Sequence, residues 1–235
     1  MQYANGSKPD VFNKVSTEMA LAHNAFLRIL NAVYAQAIYV APQDQADFLS
    51  YASCLFIAIK CHHEGEETTF FPAVERLSGE VGIMEQNVKE HTQFNDALKR
   101  TEEYINECLQ DQTQYSGEHL RSLIKVLGPV LRSHLVSEID TLEDLRKYGE
   151  GKMSTLHDEF QAMVNTETVR HSVPAIFNAL DRTYEDGLWK DFPPMPWALK
   201  WTVQNVFMRW NSAWWKFAPC DPEGYPKPYP YARPA

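Results

Sequence analysis

An all-α protein built on an antiparallel, up-down four-helix bundle is expected from three features of this chain. Between about Val11 and Lys147, four long stretches repeat apolar residues at three- and four-residue spacing. Breakers stand where each stretch should end, and none holds the alternation of a strand. Short connections then make sequential helices antiparallel neighbours.

The first helix is expected from Val11 to Val40, stopping before Ala41-Pro42, with Met19, His23, Phe26, Leu27, Leu30 and Tyr34 on one face. The second covers Gln45 to Leu77 and turns Leu55, Phe56, Ile59 and Phe70 inward; Pro72 should bend or end it. A third, from Glu80 to Cys108, carries Met84, Val88, His91, Phe94, Leu98 and Ile105. The fourth runs from Glu118 to Tyr148 with Leu123, Leu127, Leu131, His134 and Leu142 inward, a kink at Pro129, and Gly149-Glu150-Gly151 closing it. These make one bundle over 11–148. The remainder, 152–235, reads as an extension: two shorter helices between Met153 and Gly187, split near Pro174, then an irregular aromatic and proline-rich tail from Phe192. Of six tryptophans, all but Trp189 lie from Trp197 onward. Indole rings are costly to leave in water, so this tail is expected to pack on the bundle as a strap; the other reading exposes it to a partner or a membrane surface.

The 235 residues are 44% hydrophobic, enough for a core that needs no staples. Lys and Arg number 22 against 31 Asp and Glu, a net charge of −9, and no basic run exceeds two residues, which excludes a non-specific nucleic-acid binder. The N-terminus lacks the order of a signal peptide and no stretch reaches about 18 apolar residues, so a soluble cytoplasmic protein without a membrane span is expected. Cys54, Cys61, Cys108 and Cys220 form no Cys-x-x-Cys pair and read as reduced thiols, Cys61 as a small buried residue.

The chemistry concentrates on the inward faces. Of eight histidines, five fall there: His23, His62, His63, His91 and His134, at least one from each helix. Two carboxylates follow in His62-x3-Glu66 and His134-x3-Glu138. Four residues turn a helix by 400°, so each Glu lies about 40° round from its His and one turn along, on the same face. Burying these groups together costs several kcal/mol per unpaired group unless a cation offsets them. Seven donors exceed the roughly four of a zinc site, and imidazoles do not suit calcium. A mixed imidazole and carboxylate set suits iron or manganese, and two ions bridged by Glu66 and Glu138 use it fully. With about six ligands each, three histidines complete one ion and two leave the other a position short, where a small molecule such as dioxygen fits. No Glu lies three residues before any histidine, which disfavours the ferritin-like di-iron pattern.

Taken together, Leu21-Ala22-His23-Asn24, the run His62-His63-Glu64-Gly65-Glu66-Glu67 leading to Phe70-Phe71-Pro72, Glu90-His91-Thr92-Gln93-Phe94, and His134-Leu135-Val136-Ser137-Glu138 resemble the hemerythrin-like (HHE cation-binding) proteins. The resemblance covers about Asn13 to Tyr148. It implies a hemerythrin-like bundle holding a non-haem di-iron centre, two iron ions joined by carboxylates and an oxo or hydroxo group, with manganese or a mixed pair left open. It also implies reversible dioxygen binding, or related oxygen, peroxide, nitric oxide or iron handling. The oxygen carriers of that family have a His-x3-His pair on the third helix, whereas here the first position is Asn87 and the second His91. They have one histidine where this chain has His62 and His63. On this resemblance His63 replaces the missing ligand: His63, His91 and His134 hold one ion, and His23 and His62 the other, open one. Glu138 stands where the carriers place an Asp one residue further on, so their oxygen affinity does not transfer. The tail is similar to one found in hemerythrin-like proteins of filamentous fungi.

Three functions follow as expectations. The first is binding or activation of dioxygen at the open ion in a small dry pocket. The second is an oxidoreductase acting on a small organic substrate, which needs a larger cavity, a proton route and electrons from a partner. The third is an iron- or oxygen-responsive sensor that a protein partner reads. Glu64 and Glu67 are expected at solvent or just outside the ligands, Asn87 and Asn95 as groups that bond a ligand or bridge, and His119, His157 and His171 at the surface.

Overall fold

A computed structural model describes residues 10–163, 172–193 and 196–232; His171 lies outside them. Four long helical stretches form the bundle: α1 (Val11–Gln36), α2 (Gln45–Gly65) with its continuation α3 (Phe71–Ser78), α4 (Glu85–Gln110) and α5 (Gly117–Asp144). Each packs on the next, and α5 returns to α1 to close the square. The extension adds α6 (Leu156–Ala162), α7 (Ser172–Phe177), α8 (Trp197–Thr202) and α9 (Met208–Trp210). The described residues contain no β-strand, only an isolated bridge between Cys220 and Pro226. No described helix is long and apolar enough to cross a membrane.

The helix ends differ from expectation for local reasons. Asp10 caps α1 by accepting from the Asn13 N–H at 2.8 Å. The same helix stops at Gln36, four residues early, where the start of α5 crowds it: a Cβ on Gly117 would lie 2.1 Å from the Ala37 carbonyl oxygen. Pro72 does not end the second stretch, although the α-helix gives way ahead of it at Gly65. A single wide π-helical turn, Glu66–Phe70, intervenes and the helix resumes as α3, because Pro72 cannot donate to Thr68 and the wider turn absorbs the missing bond. The third bundle helix starts at Glu85, later than expected, because Gly79 and Gly82 take left-handed φ of 70° and 82° in a turn. Helix α5 runs unbroken through Pro129, which is exposed along with Lys125, so the carbonyl it leaves unpaired faces water. Pro174 falls inside α7 and does not separate two helices. Val88 is 37% exposed and stands off the inward stripe it was expected to share.

Two apolar clusters fill the bundle at different heights. The larger holds Phe26, Ile29, Phe48, Leu55, Ile59, Phe94, Leu98, Leu127 and Leu131; the smaller holds Phe12, Met19, Phe70, Phe71, Met84, Leu142 and Phe160. Along α1, the second stretch and α4 the inward histidines lie between the residues given to one cluster and those given to the other, and on α5 His134 stands at the end of the larger cluster, next to Leu135 and ahead of Leu142 in the smaller. The polar layer is thus plugged at both ends by hydrocarbon.

The tail divides between the two expectations. Phe217 and Trp215 join the larger cluster, the Gln36 amide donates to the Phe217 carbonyl at 2.8 Å, and Lys216 pairs with Asp44 at 2.7 Å. Trp197, Trp201 and Trp210 are exposed.

Candidate metal centre

Helical periodicity brings His62 and Glu66 onto one face of the second stretch, and His134 and Glu138 onto one face of α5. Packing then draws α1 and α4 against them, and the seven side chains meet in one layer. Their donor atoms fall into two groups, each within 4.8 Å: His63, Glu66, His91 and His134, and His23, His62, Glu66 and Glu138. Glu66 belongs to both. Its Oε1 is 2.9 Å from His62 Nε2 and its Oε2 is 3.5 Å from His91 Nε2. Glu138 also stands between them, with Oε2 at 3.4 Å from His23 Nε2 and 3.9 Å from His134 Nε2.

The atoms converge without satisfying one another. His63, His91 and His134 Nε2 and both oxygens of Glu66 and Glu138 are buried with no hydrogen-bond partner. His23 and His62 bring their Nε2 atoms to 3.1 Å. The opposite ring nitrogens explain which protons are absent. His23 Nδ1 donates to the Leu135 carbonyl at 2.9 Å, His91 Nδ1 to Glu67 at 2.6 Å and His134 Nδ1 to Glu90 at 3.2 Å. In a neutral ring this leaves the lone pair on Nε2, aimed into the layer. Such outer partners are what orient metal-ligating imidazoles.

Burial pushes His62 and His134 down to about 4, and His23 and His63 well below the ordinary imidazole range. Burial lowers His91 too, against the upward pull of Glu67. The carboxyls move oppositely: burial raises Glu66, and burial together with neighbouring Glu66 raises Glu138, each well above its usual value. Neutral imidazoles and protonated acids are what an apolar layer imposes when no cation is bound. Cations binding there would restore the carboxylates, so the donor chemistry fits metal.

Sequence reasoning missed Glu90, although it stands beside His91; it accepts from Ser137 Oγ at 2.6 Å as well as from His134. Glu67, expected at solvent or just outside the ligands, does both: its side chain is exposed yet bonds His91. Asn87 is buried with Oδ1 unpartnered, whereas Asn95 is exposed and away from the layer. His119 is exposed, but His157 is not a free surface residue: its Nε2 donates to Glu18 at 3.0 Å. Cys61 is half-buried and lines a cavity beside His62.

Residues 15–145 match the family model described as the hemerythrin HHE cation binding domain. The chain is also 33% identical, over 91% of its length and 81% of the other's, to the dimeric xanthone biosynthesis cluster protein R11 of Cryptosporiopsis sp. (strain 8999). No solved structure matches.

Proposed function

Because the chain belongs to the hemerythrin HHE cation-binding family, we propose that it is a non-haem di-iron protein that binds or activates dioxygen or a related small oxidant. The observation that carries this reading is Glu66, one buried carboxylate with an oxygen toward each of two histidine groups. His63, His91 and His134 would hold one ion and His23 and His62 the other, with Glu66 and Glu138 shared between them. A pair of irons supplies reversible electron transfer to oxygen. The chain's own part is to fix each ring through Nδ1 and to exclude water with the two apolar clusters.

A second reading, an oxidoreductase acting on a small organic substrate, is favoured by the cavity against His62 and agrees with the relative's place in a biosynthesis cluster. Metal analysis of anaerobically purified protein tests the common premise. About two irons per chain, reduced in His62→Ala and Glu66→Ala, is the expected result; one zinc, or undiminished iron in both variants, overturns it. Adding oxygen to the reduced protein separates the readings: a stable, reversible absorption band favours binding, and rapid oxidation with product formation favours catalysis.

A further inference from the structure

Beside the two-histidine group lies a partly enclosed cavity of about 290 Å³. Its inner wall is α1 and α2, where the Phe26 and His62 rings meet edge to face at 5.1 Å. Its outer wall comes from the extension, through Ile176, Phe177, Phe192 and Leu199. A cavity of about 150 Å³ lined by aliphatic and phenyl groups takes one benzene ring, so this space suits two or three fused rings. Glu18, Ala22 and Phe26 line it at successive turns of α1, a span of about 12 Å at helical rise.

The wall is apolar apart from a few groups, and these specify what enters. Glu18 Oε2 accepts from His157 Nε2 at 3.0 Å and from Gln161 Nε2 at 2.7 Å. Both bonds fall on one oxygen, which leaves Oε1 as an acceptor at the cavity wall. Lys14 Nζ lies 3.1 Å from His157 Nδ1, so an ammonium donor there sets the ring to donate through Nε2 and keeps Glu18 an acceptor. Ser172 also lines the space, but its hydroxyl is buried beneath the wall and out of a guest's reach. A plain hydrocarbon would leave Glu18 Oε1 without a donor, and a fatty acid would set its carboxylate against Glu18.

We propose that this cavity binds a hydroxylated fused-ring aromatic molecule, its hydroxyl donating to Glu18 and its rings lying along Phe26 and His62. As a substrate assignment this rests on the oxidoreductase reading; as a binding site it does not require the metal. The test is a fluorescence titration of the full chain, as purified and after chelation, with 2-naphthol and with naphthalene. Wild type should bind 2-naphthol about tenfold more tightly than naphthalene in both preparations. Glu18→Gln should erase most of that preference and leave naphthalene binding unchanged. Ala22→Phe, which fills the cavity, should abolish binding of both, with helicity by circular dichroism and metal content as in wild type. Sodium decanoate should not compete. Equal affinity for the two probes, no binding by wild type, competition by decanoate, or unaltered binding in either folded variant would overturn the proposal. Binding as described in a protein that carries no iron would support the cavity and refute only the di-iron reading.

Discussion

The two halves of the histidine layer hold similar donors in opposite surroundings. On the three-histidine side, two rings are tied from outside by carboxylates, His91 by Glu67 and His134 by Glu90, and the rings crowd together, His63 and His91 tilted with centroids at 4.3 Å and His91 and His134 edge to face at 4.6 Å. On the two-histidine side, His23 is tied to a backbone carbonyl, and His62 forms part of a cavity wall. Donor identity alone therefore does not separate holding an ion from exposing one. The difference lies in what stands behind each ring: anionic anchors that raise ring basicity on one side, and a cavity on the other.

The largest effect is expected at Glu66, which both halves share. Glu66→Ala should empty both halves and remove the stabilisation that bound metal adds, about 4 kcal/mol for ions held at a thousandfold over their dissociation constant. Metal content and the melting shift on chelation measure this together. Single-side variants should divide the loss. His91→Ala is expected to cost the closed half its ion, and His62→Ala the open half only, as read by metal stoichiometry. Loss of both ions in either variant would show that the halves are not separate, and retention of both would show that the substituted histidine is not a required ligand.

Acid tests the layer as a whole. In the chelated protein His62 and His134 titrate near 4, below the unfolded value of about 6.5, so the unfolded chain takes up protons first. Their contribution is present above about pH 6.5 and lost as pH falls toward 4. Glu66 and Glu138 act oppositely: with raised values in the fold, their contribution is present at acid pH and lost as pH rises through those values. Chelation should therefore narrow the stable pH range from both sides in thermal melts, and restored metal should widen it.

Glu90→Gln and Glu67→Gln remove anionic anchors without touching a donor, and each should weaken metal retention about 10- to 100-fold on the closed side, measured by competition with a chelator. Asn95→Ala, at an exposed position, should leave metal content unchanged and stability within about 0.5 kcal/mol.

Legibility followed the range of the interactions. The four-helix pattern and the facing of His62 with Glu66 and of His134 with Glu138 were readable because helical rotation is a local property. Glu90 was not, because it reaches His134 from a neighbouring helix, 44 positions away. The π turn before Pro72 was half readable: proline announces a missing bond, but whether the chain breaks or widens depends on what α3 packs against. Exposure in the tail was readable only as a pair of alternatives, since Trp215 and Trp197 share a composition and differ in what lies over them.

From residue order alone came the helices, the histidine stripe, the shared-carboxylate spacing and the family resemblance, all set by periodicities of a few residues. The packed structure alone decided that five histidines from four helices gather in one layer between two apolar plugs, which ring nitrogen is free, and that residues some 150 positions apart enclose a cavity against one of them. Those outcomes depend on non-local contacts, whose partners only the folded chain selects.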